Sequence, residues 1–449
     1  MPAAAPQVPV MPEIRGLTPF GNLLHFMHDP AEFCRRSVAA GDMVRLRMPV
    51  HSPVVLHSPE LIDQVLVAKN RSFIKDRLTR GLAAVIGNGL LVSEGDFWRR
   101  QRRLAQPAFQ RERIVRHAAS MVAAAERMMD TWREGQVIDV HAAMMDLARE
   151  VVATTLLSSE VGRRAEDLGD ALEVLMARYS DWRHSILPGL ARLPLPGNRR
   201  FTAARARLFT VVDEIVAERR RSSEDRGDLL SILLAARDED GARMSDIQLR
   251  DEVLILFMAG HETTALVLSW ALVLLSRRPG AWQRLAAEAE AVLAGRPATA
   301  ADAARLPYAE AVVLETMRLY PPAWSIGREA IEDVEIGGET LPRGTQVWMF
   351  QWSSHRDPRY FERPLAFEPE RWLDGLLHRL PRFAYYPFGG GPRLCIGHNF
   401  AMLEAVLLLA TIARRWRPQV AQRDVPRPQF SITLRPRGGV RATLHRQPP

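Results

Sequence analysis

The chain has 449 residues, 47% hydrophobic and 25% charged, with a formal net charge of +8. That is a globular composition with enough chain for a large core, and it excludes a disordered, collagenous or disulfide-scaffold protein. Cys34 and Cys395 are the only cysteines, too few for a disulfide framework, so a reducing cytoplasm is the expected compartment.

Nearly all the cations are arginine; Lys69 and Lys75 are the only lysines. The positive charge permits docking of an acidic protein. No zinc-finger spacing, basic tail or aromatic–basic repeat points to nucleic acid.

Residues 1–20 are read as a flexible N-terminal segment. Residues 1–14 are rich in Ala and Pro and carry no charged n-region, so neither a secretory signal nor a membrane anchor is expected. Residues 21–449 are read as a single domain. Alternation at 43–48 and 52–56 predicts two short strands. Apolar spacing of three and four then predicts helices over 59–68, 96–105, 112–134, 140–158 and 204–221. A Pro/Gly-rich connector covers 187–197 and a polar one covers 223–227. A very long helical pattern occupies 245–276. Its apolar run at 253–275 is interrupted by His261, Glu262 and two threonines, so it is not read as a membrane span. Helices follow at 280–294, 309–319 and 398–416, with strands within 335–351 and at 430–434. There is no internal repeat. The pattern predicts a mainly α protein: a large helical domain with small β-sheets near both ends.

The stretch Phe388-Gly389-Gly390-Gly391-Pro392-Arg393-Leu394-Cys395-Ile396-Gly397 places a cysteine on a glycine-rich loop before an apolar helical run. A lone cysteine is as a rule a small buried hydrophobe. Near a helix start, backbone N–H groups and the positive end of the dipole stabilise the thiolate that binds metal. Gly389, Gly391 and Gly397 let backbone approach a large flat cofactor. Phe388 can shield the sulfur, and Arg393 offers a cation to an acidic cofactor group. At every fixed position the stretch resembles the haem-binding loop of the cytochrome P-450 family of haem-thiolate monooxygenases.

Ala259-Gly260-His261-Glu262-Thr263-Thr264 lies midway along the long helical pattern. A mid-helix glycine costs about 1 kcal/mol against alanine. Thr263 can bond back to the Ala259 carbonyl and bend the helix. One reading is a core helix with a packing glycine and satisfied threonines. The other is a groove for a small ligand, with Glu262 and Thr263 as an acid and a hydroxyl that pass protons. The segment resembles the family's oxygen-activating motif at Ala259, Gly260, Glu262 and Thr263; His261 falls on its variable position.

Glu315 and Arg318 share a helix face. With the later Pro369-Glu370-Arg371-Trp372 they resemble the family's Glu-x-x-Arg helix and Pro-Glu-Arg-Phe loop. The resemblance implies a structural network of Glu315, Arg318 and Arg371, with Trp372 where the family often has Phe. Trp98 and Arg102 resemble the family's Trp-x-x-x-Arg helix, which pairs with haem propionates; Arg328 and Arg393 match its other propionate partners. Arg99, Arg100 and Arg103 are read as solvated charges, with redox-protein docking as the alternative.

The resemblance runs from roughly 21 to 443. It implies the cytochrome P-450 fold, haem b held by Cys395, and a cofactor cradle that includes Ala259, Gly260, Phe388, Gly389 and Gly397. It implies catalysis in which Thr263 and Glu262 manage protons for bound O2. Electrons would come from NAD(P)H through a separate ferredoxin and its reductase, since there is no cysteine set for a cluster. One oxygen atom would be inserted into a mostly apolar substrate, such as a fatty acid or terpenoid, by a cytoplasmic monomer. The pocket-lining segments implied are 82–91, 176–187, 254–258, 323–326 and 430–433. Trp182, Trp324 and Phe430 are their bulky members, with Arg178, Arg183 and His184 at the rim. The rival readings are a peroxide-driven peroxygenase or isomerase, a non-enzymatic haem-binding protein, and a haem-free helical scaffold. The acid–alcohol pair argues for O2 activation.

Overall fold

The computed structural model describes residues 11–16, 21–48, 52–158, 162–179, 195–222, 224–421 and 425–447. Most of the expected N-terminal segment, most of the 187–197 connector, Ser223, Trp182, Arg183 and His184 lie outside the described residues. The described residues group into two compact units. One comprises those of 1–79 with Met317–Phe367 and Asp374–Cys395; the other comprises Arg80–Thr316, Glu368–Leu373 and those of 396–449.

The first unit is built on a six-stranded mixed sheet. Its order is Glu13–Ile14, Met43–Leu46, Val54–Leu56, Gln346–Met349, Ile326–Ala330, Phe73–Lys75. Met43–Leu46, next to the edge strand Glu13–Ile14, has alternating burial, whereas all three residues of the following strand Val54–Leu56 are buried. An inner strand covered on both faces needs a continuous apolar run, which is what Val54-Val55-Leu56 supplies. Val55 stands opposite Val44 on one side and Trp348 on the other. The expected strand region at 335–351 resolves into three strands. Val334–Ile336 and Glu339–Leu341 form a hairpin whose Gly337-Gly338 turn has both φ values positive, the conformation a two-residue hairpin needs.

The second unit is helical. Its centre is the helix Asp246–Ser276, which starts from a capping box: Ser245 Oγ accepts from the Gln248 N–H, and Gln248 Oε1 accepts from the Ser245 N–H at 2.8 Å. It packs against Val140–Leu157, a helix capped by Asp139. A Cβ on Gly260 would lie 2.8 Å from Val152 Cγ2, so glycine is what lets these two helices close up. Among the described residues, Asp246–Ser276 alone is long and apolar enough to cross a membrane, and 78% of its apolar window is buried inside the protein.

Several boundaries differ from expectation. The helix expected over 204–221 is Pro196–Ser222, so Pro196 and Gly197 of the expected connector are its first residues, where proline's missing N–H costs nothing. The helix expected over 112–134 is broken into Arg111–Ile114 and Ala118–Asp130 by a tight turn. The strand expected at 430–434 is the turn of a hairpin between Pro428–Phe430 and Leu434–Pro436. β-branched residues at a hairpin tip read like a strand in sequence, and only pairing separates the two.

Candidate active site

In the first unit, Cys395 is exposed and is not part of a disulfide. Its N–H donates to the Phe388 carbonyl at 3.0 Å, closing the loop between them. Gly389 and Gly391 sit at φ +73° and +65°, and a Cβ on Gly391 would lie 1.9 Å from the Leu66 carbonyl oxygen. A Cβ on Gly390 would strike the Phe383 ring at 2.3 Å. The glycines therefore let the loop bed down tightly on its own unit while it presents a thiol outward. The other cysteine, Cys34, is fully buried, and burial pushes its thiol far up, so it is inert. Arg393 lies in the short turn Gly391–Arg393, and Arg328 is buried on the strand Ile326–Ala330. Trp324, expected at the pocket, stacks on Phe350 (5.8 Å, 7°) within an aromatic cluster that includes Phe26 and Trp348, so it belongs to the core.

In the second unit, the long helix has one open stripe. Between Asp251 and Ser276 every residue is buried except Leu256, Ala259, Gly260 and Thr263. Their spacing of three and four puts them on one face. Thr263 Oγ1 donates to the Ala259 carbonyl at 2.7 Å, the back-bond its position predicts. Glu262 lies off this stripe. Its buried carboxylate accepts from Thr433 Oγ1 and from Arg435 Nε and Nη2, the last two at 2.8 and 2.6 Å. His261 is buried, with Nδ1 2.7 Å from the Phe257 carbonyl, and desolvation lowers its pKa. Gly397, the residue that opens His398–Arg415, has φ −91° and room for a Cβ, with Phe109 Cε1 the nearest atom at 3.6 Å. Among the described residues, none comes close enough to call for glycine there.

Trp98 and Arg102 are part-buried on Gly95–Ala105 and lie one turn apart. The arginines around them are held within the chain: Arg99 by Asp96, Arg100 by Asp238 at 2.6 Å, and Arg103 by Glu239.

Glu315 is fully buried, and its carboxylate accepts hydrogen bonds from three groups. Arg371 Nε donates to it at 3.2 Å, the Glu368 N–H at 2.8 Å and Trp372 Nε1 at 2.9 Å. Trp372 thus adds a donor that phenylalanine lacks, a partner sequence reasoning passed over. Arg318, in the first unit, donates to the carbonyls of His355, Pro364 and Ala366 at 2.9, 2.6 and 2.9 Å. Sequence reasoning also missed Glu404. It is fully buried, accepts from Thr264 Oγ1 at 3.1 Å, and burial pushes it up to about 8.

Taken separately, each unit carries groups of the kind a haem requires: in the first an exposed thiol on a glycine-rich loop with Arg328 and Arg393, in the second an open apolar stripe ending in a hydroxyl, with Arg102. The family model for cytochrome P-450 matches residues 11–440. Cyclooctatin synthase of Streptomyces melanosporofaciens is 41% identical over 431 residues, covering 94% of this chain and 93% of that protein. Pentalenene oxygenase of Streptomyces avermitilis is 36% identical over 419 residues, covering 92% of each. Among solved structures, the cytochrome P-450DA haem domain aligns with a TM-score of 0.87 at 25% identity over 98% of both chains. Cyanobacterial CYP120A1 with retinoic acid bound aligns with a TM-score of 0.87 at 26% identity, covering 98% of this chain and 99% of that one. The chain belongs to the cytochrome P-450 family, has its fold, and is a monooxygenase of that family.

Proposed function

We propose that this monooxygenase inserts one oxygen atom into a medium-to-large, mostly apolar cyclic substrate of the terpenoid kind, either a hydrocarbon or its mono-alcohol. The observation that carries this reading is the open stripe Leu256, Ala259, Gly260 and Thr263. It offers one hydroxyl on an otherwise apolar face, and the cluster around Leu256, with Ile255, Met258, Leu91 and Val92, is apolar too. Such a wall rewards apolar area and gives little to a polar ligand. Two relatives support it by name: pentalenene oxygenase, and a cyclooctat-9-en-7-ol 5-monooxygenase that is 35% identical over 423 residues. Those names describe an alkene and an unsaturated alcohol.

Haem, when bound, supplies oxygen activation and transfer to carbon. Cys395 is its thiolate ligand in this reading, and Phe388, Gly389, Gly397, Ala259 and Gly260 border it. Arg102, Arg328 and Arg393 would neutralise the propionates, and Trp98 Nε1–H would donate a hydrogen bond to one of them. Thr263 holds a proton-bearing hydroxyl at the reacting side, and Glu262 sets the charge beside it. Glu315, Arg318 and Arg371 hold the frame. Electrons come from NAD(P)H through an external ferredoxin and its reductase, and the enzyme acts as a cytoplasmic monomer.

The test is a spectral-shift screen on holoenzyme with cyclic terpene hydrocarbons, their mono-alcohols, fatty acids, steroids and macrolides. Each ligand is then incubated with ferredoxin, reductase and NAD(P)H, or with peroxide alone. Terpenoids should shift the Soret band to shorter wavelength and yield a product with one added oxygen only with the electron donors. Binding restricted to small polar molecules contradicts the substrate reading. Equal product from peroxide alone favours a peroxygenase.

A further inference from the structure

The first turns of the long helix carry two adjacent buried acids, Asp251 and Glu252, that the proposed chemistry does not use. Both serve a loop far away in sequence. The Asn88 N–H donates to Asp251 Oδ2 at 2.7 Å, and the Leu90 N–H donates to Glu252 Oε2 at 3.1 Å. Arg250 holds the Asp251 carboxylate at 3.1 Å, which fixes its direction. The loop itself is shaped to the helix. Gly87 has φ +79°, and a Cβ there would lie 2.2 Å from the Asp251 carboxyl. A Cβ on Gly89 would lie 2.8 Å from Ile255 Cδ1 and 2.9 Å from the Asp251 carbonyl oxygen. Two glycines bring the backbone close, and two carboxylates receive the amides so exposed.

Glu252 also has a position on the helix that matters. It lies four, seven and eleven residues before Leu256, Ala259 and Thr263, on the same stripe. The open stripe thus ends at Glu252, under Leu90. Glu252 is 1% exposed, and its other oxygen, Oε1, has no hydrogen-bond partner among the described residues. Burial pushes Glu252 up to about 7, so its spare oxygen can carry a proton near neutral pH while Oε2 accepts the Leu90 N–H, which pulls the other way.

We propose that Asp251 and Glu252 are positioning residues: by holding the Asn88 and Leu90 amides they fix the loop 87–90 at the end of the open stripe, and so set the wall that the substrate meets. This rests on the reading of segment 82–91 as substrate-facing. Neither acid touches the reacting atoms.

The test compares Asp251→Ala, Glu252→Ala and Glu252→Gln with the parent holoenzyme. Amide hydrogen exchange is read at Asn88 and Leu90, and binding and turnover of a terpenoid ligand are read as KM and kcat. Each alanine variant should speed exchange at its own amide by about tenfold, the scale of one lost charge-assisted bond. KM should rise severalfold with kcat nearly unchanged. Glu252→Gln keeps an acceptor for the Leu90 N–H and should restore both. Gly89→Ala leaves the two acids intact but pushes the loop from Ile255. It should reproduce the alanine phenotype, which keeps the idea testable if an acid variant fails to fold. Unchanged exchange at Asn88 and Leu90 overturns the latch. Faster exchange with unchanged KM leaves the latch standing but overturns its role at the substrate, and with it the reading of 82–91.

Discussion

Arg435 grips Glu262 with two guanidinium nitrogens, Nε at 2.8 Å and Nη2 at 2.6 Å, and Thr433 donates to the same carboxylate oxygen. The acid of the acid–alcohol pair is therefore tied to the hairpin Pro428–Phe430/Leu434–Pro436, while its neighbour Thr263 stays on the open stripe. Trp270 Nε1 donates to the Leu434 carbonyl at 3.0 Å and pins the same hairpin. Removing Arg435 strands a buried charge. Because Arg435 is itself 31% exposed, we expect Arg435→Met to cost about 1–3 kcal/mol. Arg435→Lys should recover part of it. A thermal-unfolding double-mutant cycle with Glu262→Gln should show coupling between the two; strict additivity would refute the pairing.

Thr263→Ala keeps the helix but removes the hydroxyl at the end of the stripe. Haem binding should be unaffected. NAD(P)H oxidation should continue, with a larger share ending as peroxide and less product per electron. Equal product yield in the variant would remove Thr263 from proton handling.

Trp372→Phe deletes the donor to Glu315 Oε2 and leaves a buried carboxylate oxygen short of a partner. The expected loss is about 1–3 kcal/mol in thermal or denaturant unfolding. Arg371→Ala should cost more, about 3–5 kcal/mol, because it takes a cation away from the buried Glu315 carboxylate. If Trp372→Phe proved neutral, the indole bond would contribute nothing to the network.

Glu404 gives a pH signature. Burial raises its folded pKa from about 4.5 to about 8, so the folded state holds the proton more tightly than the unfolded one. Its contribution is fully present below pH 4.5 and is lost as pH rises towards 8. Each pH unit in that window costs at most about 1.4 kcal/mol. Glu404→Gln should flatten the fall of Tm between pH 5 and 8, at about the ordinary carboxylate-to-amide cost elsewhere. An unchanged slope would mean that Glu404 does not titrate in this range.

Propionate pairing is testable by haem retention. Arg102→Ala, Arg328→Ala and Arg393→Ala each remove one cation, at about 1–3 kcal/mol where the carboxylate is part-buried. Faster haem loss to an apoprotein acceptor is expected in each. Unchanged loss in all three would contradict the assignment.

What was legible in sequence follows from how local the cause is. The helix Asp246–Ser276 and its Ser245 cap were readable because capping and apolar content are written within a few residues. The cysteine loop was readable because its glycines answer to φ and close approach at fixed spacing. The stripe was readable only through the motif, which names Ala259, Gly260 and Thr263; periodicity does not mark it, since the whole helix is apolar, and Leu256 was not singled out within 254–258. The destinations of Glu262, Glu252 and Glu404 were not readable. Each finds its partner more than 100 residues away, and pairing at that range depends on packing.

The most direct measurement of the central claim is the absorption spectrum of reduced, CO-treated Cys395→Ser protein beside the parent and Cys34→Ser. The parent and Cys34→Ser should show the red-shifted Soret band of a thiolate-ligated haem. Cys395→Ser should lose that band while retaining its fold by circular dichroism. A Cys395→Ser protein that kept the band unchanged would contradict the assignment of Cys395 as the iron ligand.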